Sequence, residues 1–161
     1  MLSRYPSLCI TAALALAACE SQPAAPLQIP LKAELTAAKV ATARYRNLQN
    51  AIADGYVDID VYMEGMGHHY MNESLLDERF DAEAPELLVY EEIGGVMTLV
   101  ALEYAVPTAI AAEAPEGFTG TDDIWDNNTA FQLWTLHAWV WLDNPDGIFA
   151  PFNPLLMTGE P

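Results

Sequence analysis

Two apolar runs joined by a pair of glycines most constrain the fold of this chain. The runs cover 86–91 and 96–104, and Ile93, Gly94 and Gly95 lie between them. Glycine readily adopts the positive φ angles that two-residue hairpin turns require. A third run, 131–142, is apolar on both faces, which is typical of a strand inside a sheet. The sequence therefore predicts an antiparallel sheet that contains a 93–95 hairpin and a central 131–142 strand.

The segment before these runs has a helical pattern. From 31 to 54 its apolar residues fall on one stripe, with Pro30 before the segment and Gly55 after it. We expect one long helix here, a strand over 56–62, a polar connection with one helical turn over 72–84, a helix or loop over 108–118 and a turn at 143–147. The predicted fold class is α+β, with one long N-terminal helix packed on a small, mostly antiparallel sheet in a single domain, 31–161.

The first thirty residues have the pattern of an export signal followed by a tether. Residues 1–18 have one Arg and a short apolar run, as secretory signals do. Leu16-Ala17-Ala18-Cys19 resembles the lipobox of bacterial lipoproteins, so we expect Cys19 to be lipidated and 19–30 to form a Pro-rich tether. Ordinary cleavage after an Ala-x-Ala site is the alternative. Glu20 after the Cys resembles lipoproteins sorted to the outer membrane, so the expected location is the outer membrane, facing the periplasm or the cell surface.

Composition excludes several function classes. The formal net charge is −17, with 6 Lys and Arg against 23 Asp and Glu, which disfavours binding to nucleic acid because phosphate contacts need cations. Cys9 would leave with the signal and Cys19 would carry the lipid, so no thiol remains for catalysis or for zinc. The chain also has no serine-nucleophile elbow, no P-loop and no dinucleotide-binding glycine motif.

Three polar residues within or beside apolar runs suggest a metal site. His69 (or His68), His137 and Glu103 form a set of two imidazoles and one carboxylate, which suits iron, zinc or manganese with open coordination positions. Glu103 interrupts an apolar strand, where a carboxylate needs a partner to offset its desolvation. The alternative is structural: Glu103 pairs with Arg44 or Arg46, and His137 is a core imidazole with one hydrogen bond.

A second set suggests copper. Met63, Met66 and Met71 lie close in sequence to His68 and His69, and thioethers with imidazoles bind copper. Methionines that simply fill gaps in a core are the alternative. For calcium, no acidic cluster has the spacing of an EF-hand loop.

Several blocks together resemble an uncharacterised family of small exported bacterial proteins, with motifs of the type GMGxHY and LHxWxWxxNPxGxFAxxNP. The matching segments are GMGHHY (65–70), PELLVYE (85–91), LEYAVP (102–107), LHAWVW (136–141) and NPDGIFAPFNP (144–154). The resemblance covers nearly all of the chain after the tether and implies no activity. By position, its signature includes His69, Glu103, Tyr104, His137, Trp139 and Trp141, while His68 stands at a variable place. It therefore favours His69 over His68.

These observations give one leading functional hypothesis and two alternatives. The leading one is a lipid-anchored, non-enzymatic envelope protein that binds a metal (Fe, Zn, Mn or Cu) or a small ligand near His69, His137 and Glu103. The first alternative is a metal-dependent hydrolase or oxygenase that uses the same residues. The second is a structural lipoprotein whose Trp-rich strand and 148–161 tail dock a protein partner. The expected partner in each case is the membrane, through the lipid, and not nucleic acid.

Overall fold

The N-terminal helical region is shorter and more broken than the sequence suggests. A computed structural model describes residues 31–120 and 123–157. Helix α1 covers Leu31–Ala41, a 3₁₀ turn covers Ala43–Arg46, and helix α2 covers Leu48–Ala53. The predicted single helix over 31–54 is therefore wrong. The predicted signal, Cys19 and the tether lie outside the described residues.

Two polar side chains account for the break. The Thr42 hydroxyl donates to the Ala38 carbonyl at 2.7 Å, a local bond that competes with helix continuation. Asn47 has an extended backbone, and its side chain accepts from the Gln49 amide as an N-cap, which starts a new helix. The predicted helix-ending glycine is confirmed, because Gly55 follows α2 with φ +99°.

Six antiparallel strands form the sheet. They are β1 (Val57–Met63), β2 (Gly67–Met71), β3 (Leu87–Ile93), β4 (Val96–Pro107), β5 (Asp126–Asn128) and β6 (Leu133–Ala138). Their order is β1-β2-β3-β4-β6-β5. The predicted hairpin is confirmed: β3 and β4 pair up to Ile93 and Val96, and Gly94 and Gly95 have φ values of +62° and +81°. The fold class is α+β.

The connections range from tight turns to long loops such as 72–86. The polar 72–84 connection contains the expected single helical turn, a 3₁₀ turn at Glu73–Leu75, and another 3₁₀ turn lies at Pro154–Leu156. Residues 108–118, which the sequence left open between helix and loop, form a loop. Within the described residues, no helix has the length and apolar character that crossing a membrane requires.

The helices cover one face of the sheet. Ala38 of α1 and Ala51 of α2 are fully buried in a core cluster with Tyr90 and Tyr104 from the central strands. The Tyr90 hydroxyl donates to the Tyr45 carbonyl at 2.6 Å, and the Tyr104 hydroxyl donates to the Ala82 carbonyl at 2.9 Å. Because these buried hydroxyls have partners, this face carries a satisfied, well-packed core.

A bulge in β4 changes the face to which its residues point. Val89 pairs with Ala101, but the next residue, Tyr90, pairs with Leu99, so Val100 is an extra residue. Leu99 belongs to the helix-side core, whereas Val100 and Ala101 both lie in a separate cluster on the opposite face. Regular alternation along the strand predicts one face for Glu103, Met97, Leu99 and Ala101; because of the bulge, Glu103 shares its face with Ala101 but not with Met97 and Leu99, so that part of the prediction is wrong.

Strand β6 lies inside the sheet, as predicted, but it ends at Ala138 rather than Leu142. The Trp139 amide donates to the Ile148 carbonyl at 2.8 Å instead of continuing the ladder with β4. Trp139 then packs with Val100 away from the helices, while Trp141 packs on the helix side and its indole donates to Thr42. A strand that continued to Leu142 would place Trp139 and Trp141 on one face; that prediction from the sequence is wrong because β6 ends before them.

Candidate metal centre

The register of β4 and β6 places Glu103 and His137 side by side. They are directly opposite residues of this antiparallel pair, at the centre of the sheet. Side chains of opposite residues project from the same face, here the face that the helices leave uncovered. Glu103 and His137 are 5% and 7% exposed. Two buried, ionisable groups are thus held together by backbone pairing alone.

A bulge in β1 orients the third residue, His69. The pairing of β1 with β2 passes from Asp58 and Tyr70 to Tyr62 and His68, so residues 59–61 of β1 stand opposite His69 alone. This irregularity includes Asp60, which has φ +58°. The His69 Nδ1 lies 3.1 Å from the Val61 carbonyl oxygen. An Nδ1–H that donates to this carbonyl leaves the Nε2 lone pair free to bind a metal.

The three side chains converge. His69 Nε2 lies 3.4 Å from Glu103 Oε2, and His137 Nε2 lies 3.7 Å from Glu103 Oε1. One ligand atom from each of the three lies within 4.8 Å of the other two. Tetrahedral ligands at 2.0 to 2.2 Å from a metal ion stand about 3.3 to 3.6 Å apart. The two imidazole–carboxylate distances lie close to this range, whereas the 4.8 Å limit leaves the remaining spacing up to about 1 Å too wide, so the side chains would close in on a small metal ion.

The protonation of the cluster also suits metal binding. Burial lowers the pKa of His137 to about 4, so its imidazole is neutral at pH 7 and its Nε2 can act as a ligand. This Nε2 is buried and has no hydrogen-bond partner. Burial raises the pKa of Glu103, while His69 and a hydrogen bond from Thr135 act in the opposite direction. A metal ion would satisfy both the orphaned nitrogen and the buried carboxylate.

A large cavity borders the cluster. Its volume is about 1010 Å³, and His69, Glu103 and His137 are all part of its lining. Cavities of a few hundred to a thousand Å³ are typical of small-molecule sites. A metal held by these three residues would thus have coordination positions that face open space.

Glu103 does not pair with Arg44 or Arg46, which was the structural alternative to a metal site. Arg44 pairs with Asp54 at 3.0 Å, and Arg46 lies over the Trp141 ring on the helix side. Neither arginine pairs with Glu103, whose two close nitrogen neighbours are the imidazoles of His69 and His137.

The structure separates His68 from the cluster. Neighbouring strand residues point to opposite faces, and the half-buried His68 ring contacts Tyr62, with ring centroids 4.8 Å apart. His68 therefore does not join His69. The methionines of the copper hypothesis, Met63, Met66 and Met71, do belong to the lining of the cavity, as His69 does. The copper set thus lacks one of its two imidazoles.

Sequence reasoning missed three groups around the cluster. The Val61 carbonyl orients His69, Thr135 hydrogen-bonds Glu103, and Asp126 acts to raise the pKa of both Glu103 and His137. The sequence offers a signal for Thr135, because this residue precedes His137 by two positions and so lies on the same face of β6. The role of Val61 had none, because it depends on an irregular pairing.

Most of the tail folds back onto its own domain. Phe149 and Leu156 are buried, and the Asn153 amide donates to the Gly65 carbonyl at 2.8 Å. Trp139 is also buried, and its indole donates to the Ala150 carbonyl at 2.6 Å. The protein partner of the interaction hypothesis remains a prediction.

Comparison with known proteins adds no assignment: no family model, curated protein or solved structure matches this chain. The resemblance to exported bacterial proteins therefore stays a prediction, and the functional argument depends on the geometry of the site.

Proposed function

We propose that this protein binds a divalent transition metal, Zn²⁺ or Fe²⁺, through His69, Glu103 and His137, and that the metal receives a small ligand from the adjoining cavity. The orphaned, buried Nε2 of His137 carries the proposal. A buried polar atom without a partner costs free energy, and its neighbour Glu103 is a carboxylate that metals bind well. Two imidazoles and one carboxylate are the ligand set of many open zinc and non-haem iron sites.

The test is metal binding by matched variants. The purified protein is loaded with Zn²⁺ or Fe²⁺ and dialysed, and the metal content per chain is measured by mass spectrometry, with the affinity measured by competition with a chelator. We expect one metal ion per chain. Loss of an outer-shell partner already weakens metal affinity about 10- to 100-fold, so His137→Ala and Glu103→Gln should lose at least as much.

The control is His68→Ala. His68 is the sequence neighbour of a ligand but lies outside the cluster, so its removal should leave the affinity unchanged. Circular dichroism checks that every variant is folded. A wild-type protein that retains no metal, or an equal loss in His68→Ala and His137→Ala, would contradict the proposal.

The cavity favours a second candidate, a metal-dependent hydrolase or oxygenase. A filled core beside His137 would exclude substrate, whereas here the cluster opens onto a cavity of about 1010 Å³. Hydrolysis of p-nitrophenyl acetate by the Zn²⁺-loaded protein is the simplest assay. Turnover above that of free Zn²⁺, lost in Glu103→Gln but kept in His68→Ala, would support this candidate. Metal binding without such turnover would favour a binding protein.

We also propose that the chain is exported and anchored to the bacterial envelope by lipid on Cys19. The sequence pattern 16–19 supports this, with the apolar run before it. Labelled palmitate should be incorporated into the wild-type protein and not into Cys19→Ser, and detergent phase separation should move the wild-type protein alone into the detergent phase. Equal labelling of both proteins would contradict the proposal.

A further inference from the structure

The cavity has one polar end and an apolar body. The polar end is formed by the metal cluster and Thr135. The body consists of aliphatic, thioether and aromatic side chains. Its most deeply buried walls are Leu87, Met66, Phe149 and Leu133, which are 3% to 9% exposed. Walls of this kind suit the apolar part of a ligand, because they offer it no hydrogen bonds.

The mouth of the cavity is apolar as well. Four lining residues are large and exposed: Ile124 (78%), Phe131 (50%), Met63 (40%) and Phe152 (38%). Exposed apolar side chains grouped at an opening are characteristic of ligand-binding grooves. A molecule that enters would therefore meet apolar contacts from the rim to the floor.

Every formally charged side chain that lines the cavity is a carboxylate. These are Glu103 on the floor and the exposed Asp126 and Asp146. No Lys or Arg of the described ranges 31–120 and 123–157 belongs to the lining. Three of the four cations of the helical region are engaged elsewhere: Arg44 with Asp54, and Lys39 and Arg46 with the Trp141 ring; the fourth, Lys32, lines a different pocket. An anion in the metal-free cavity would therefore find no Lys or Arg counter-ion. A divalent ion at the cluster would add positive charge at the floor only, and the formal charge of the three carboxylates would still exceed it.

We infer that the natural ligand of this cavity is an uncharged, predominantly apolar molecule with a single polar group, which reaches the metal cluster while its apolar part lies against the Leu, Met and Phe walls. The inference rests on the proposed function in that it concerns the same site. It adds the class of ligand, and free sugars and inorganic phosphate, which have no apolar part, fall outside that class.

Two fluorescent probes that differ by one charged group test this directly. N-phenyl-1-naphthylamine is uncharged, and 1-anilinonaphthalene-8-sulfonate adds a sulfonate to the same rings. Both are titrated into the full, chelator-treated protein. We expect saturable binding of the uncharged probe, with a Kd roughly tenfold lower than that of the sulfonate. No saturable binding of the uncharged probe, or equal or tighter binding of the sulfonate, would overturn the inference.

Paired variants locate the probe. Phe131→Ser with Phe152→Ser removes two rings from the rim, and we expect the Kd of the uncharged probe to rise at least several-fold. The control is Ile93→Ser with Val96→Ser, which removes two similarly exposed apolar side chains at the tip of the β3–β4 hairpin, outside the cavity. An equal effect of the two double variants, or no effect of the rim variant, would place the probe elsewhere and overturn the inference.

The proposed metal site and the inferred class of ligand can be contradicted independently of each other. Probe binding to the chelator-treated protein needs no metal, so it can succeed in a protein that retains neither Zn²⁺ nor Fe²⁺. A protein that binds metal but does not prefer the uncharged probe would keep the proposed metal site and lose the ligand class.

Discussion

A second buried carboxylate, Glu86, should make the stability of the protein fall as the pH rises. Glu86 is 3% exposed, and its Oε2 accepts from the Ala105 amide at 2.9 Å. Burial raises the pKa of Glu86 from 4.5 to about 7, while the Ala105 amide opposes this and Asp77 and Asp81 add to it. Its folded-state pKa therefore lies above its unfolded-state pKa.

The sign follows from linkage. Between pH 4.5 and 7 the folded state binds more protons at Glu86 than the unfolded state does, so the free energy of unfolding decreases as the pH increases. Its contribution is fully present below pH 4.5 and is lost through pH 7. With 1.36 kcal/mol per pKa unit, the two pKa values give a loss of about 2.5 kcal/mol between pH 5 and pH 8.

Urea unfolding at several pH values measures this effect. Other groups also titrate, so the informative quantity is the free energy of unfolding of the wild type minus that of Glu86→Gln at each pH. The glutamine keeps an oxygen that can accept from the Ala105 amide, but it does not ionise. We expect this difference to fall by about 2.5 kcal/mol from pH 5 to pH 8 and to be flat above pH 8.

The control is Glu92→Gln, which removes one negative charge from the exposed end of β3, the strand that begins directly after Glu86. It separates the effect of burial from that of net charge. A difference for Glu86→Gln that stays constant with pH, rises with pH, or matches that of Glu92→Gln would refute the reasoning.

Three further predictions concern the backbone, the tail and the site. Gly67→Ala should destabilise the protein by about 3 kcal/mol, because Gly67 has φ +117° and an added Cβ would meet the Tyr90 carbonyl. The control, Gly95→Ala, should cost about 1 kcal/mol, because Gly95 has φ +81° but open space around it. Equal losses of the two variants in thermal unfolding would contradict this prediction. Asn153→Ala should lower the free energy of unfolding, measured by urea denaturation, by about 2 to 4 kcal/mol, because this fully buried side chain donates to the Asp143 carbonyl and caps the last 3₁₀ turn. A loss under 1 kcal/mol would show that water replaces these bonds. The Zn²⁺ affinity of the three-residue cluster should fall as the pH is lowered from 7 to 5, because burial raises the pKa of Glu103 and a proton then competes with the metal for its carboxylate; a chelator competition series that shows no change would count against direct coordination.

Local signals in the sequence predicted the sheet better than the helices. The Gly94-Gly95 turn is fixed by φ angles that other residues disfavour, so a hairpin there follows from chemistry alone. The single 31–54 helix failed because periodicity does not register the alternatives that Thr42 and Asn47 offer: a side-chain bond back to a carbonyl, and a cap that begins a second helix.

At the site, too, local features could be predicted from the sequence, whereas features that depend on irregular strand pairing could not. A glutamate within an apolar strand is expensive to bury alone, and this cost suggested that Glu103 needs a partner; the structure brings His69 and His137 next to it. Which histidine of the adjacent pair takes part follows from strand alternation once the register is known. The role of the Val61 carbonyl and the extra residue Val100 could not be predicted, because both depend on irregular pairing between strands distant in sequence.

The extra residue Val100 divides β4 into two halves that are out of phase. On one side, 96–99 follows the register of the hairpin tip; on the other, 101–107 follows the register that sets Glu103 opposite His137. Deleting Val100 would restore regular alternation along β4. The side chains of 96–99 would then exchange faces, while the pairing of Glu103 with His137 could stay as it is. The bulge is therefore the point at which the hairpin tip differs in phase from the half of β4 that carries Glu103, and the position of Glu103 beside His137 depends on the pairing with β6 rather than on the register of the tip.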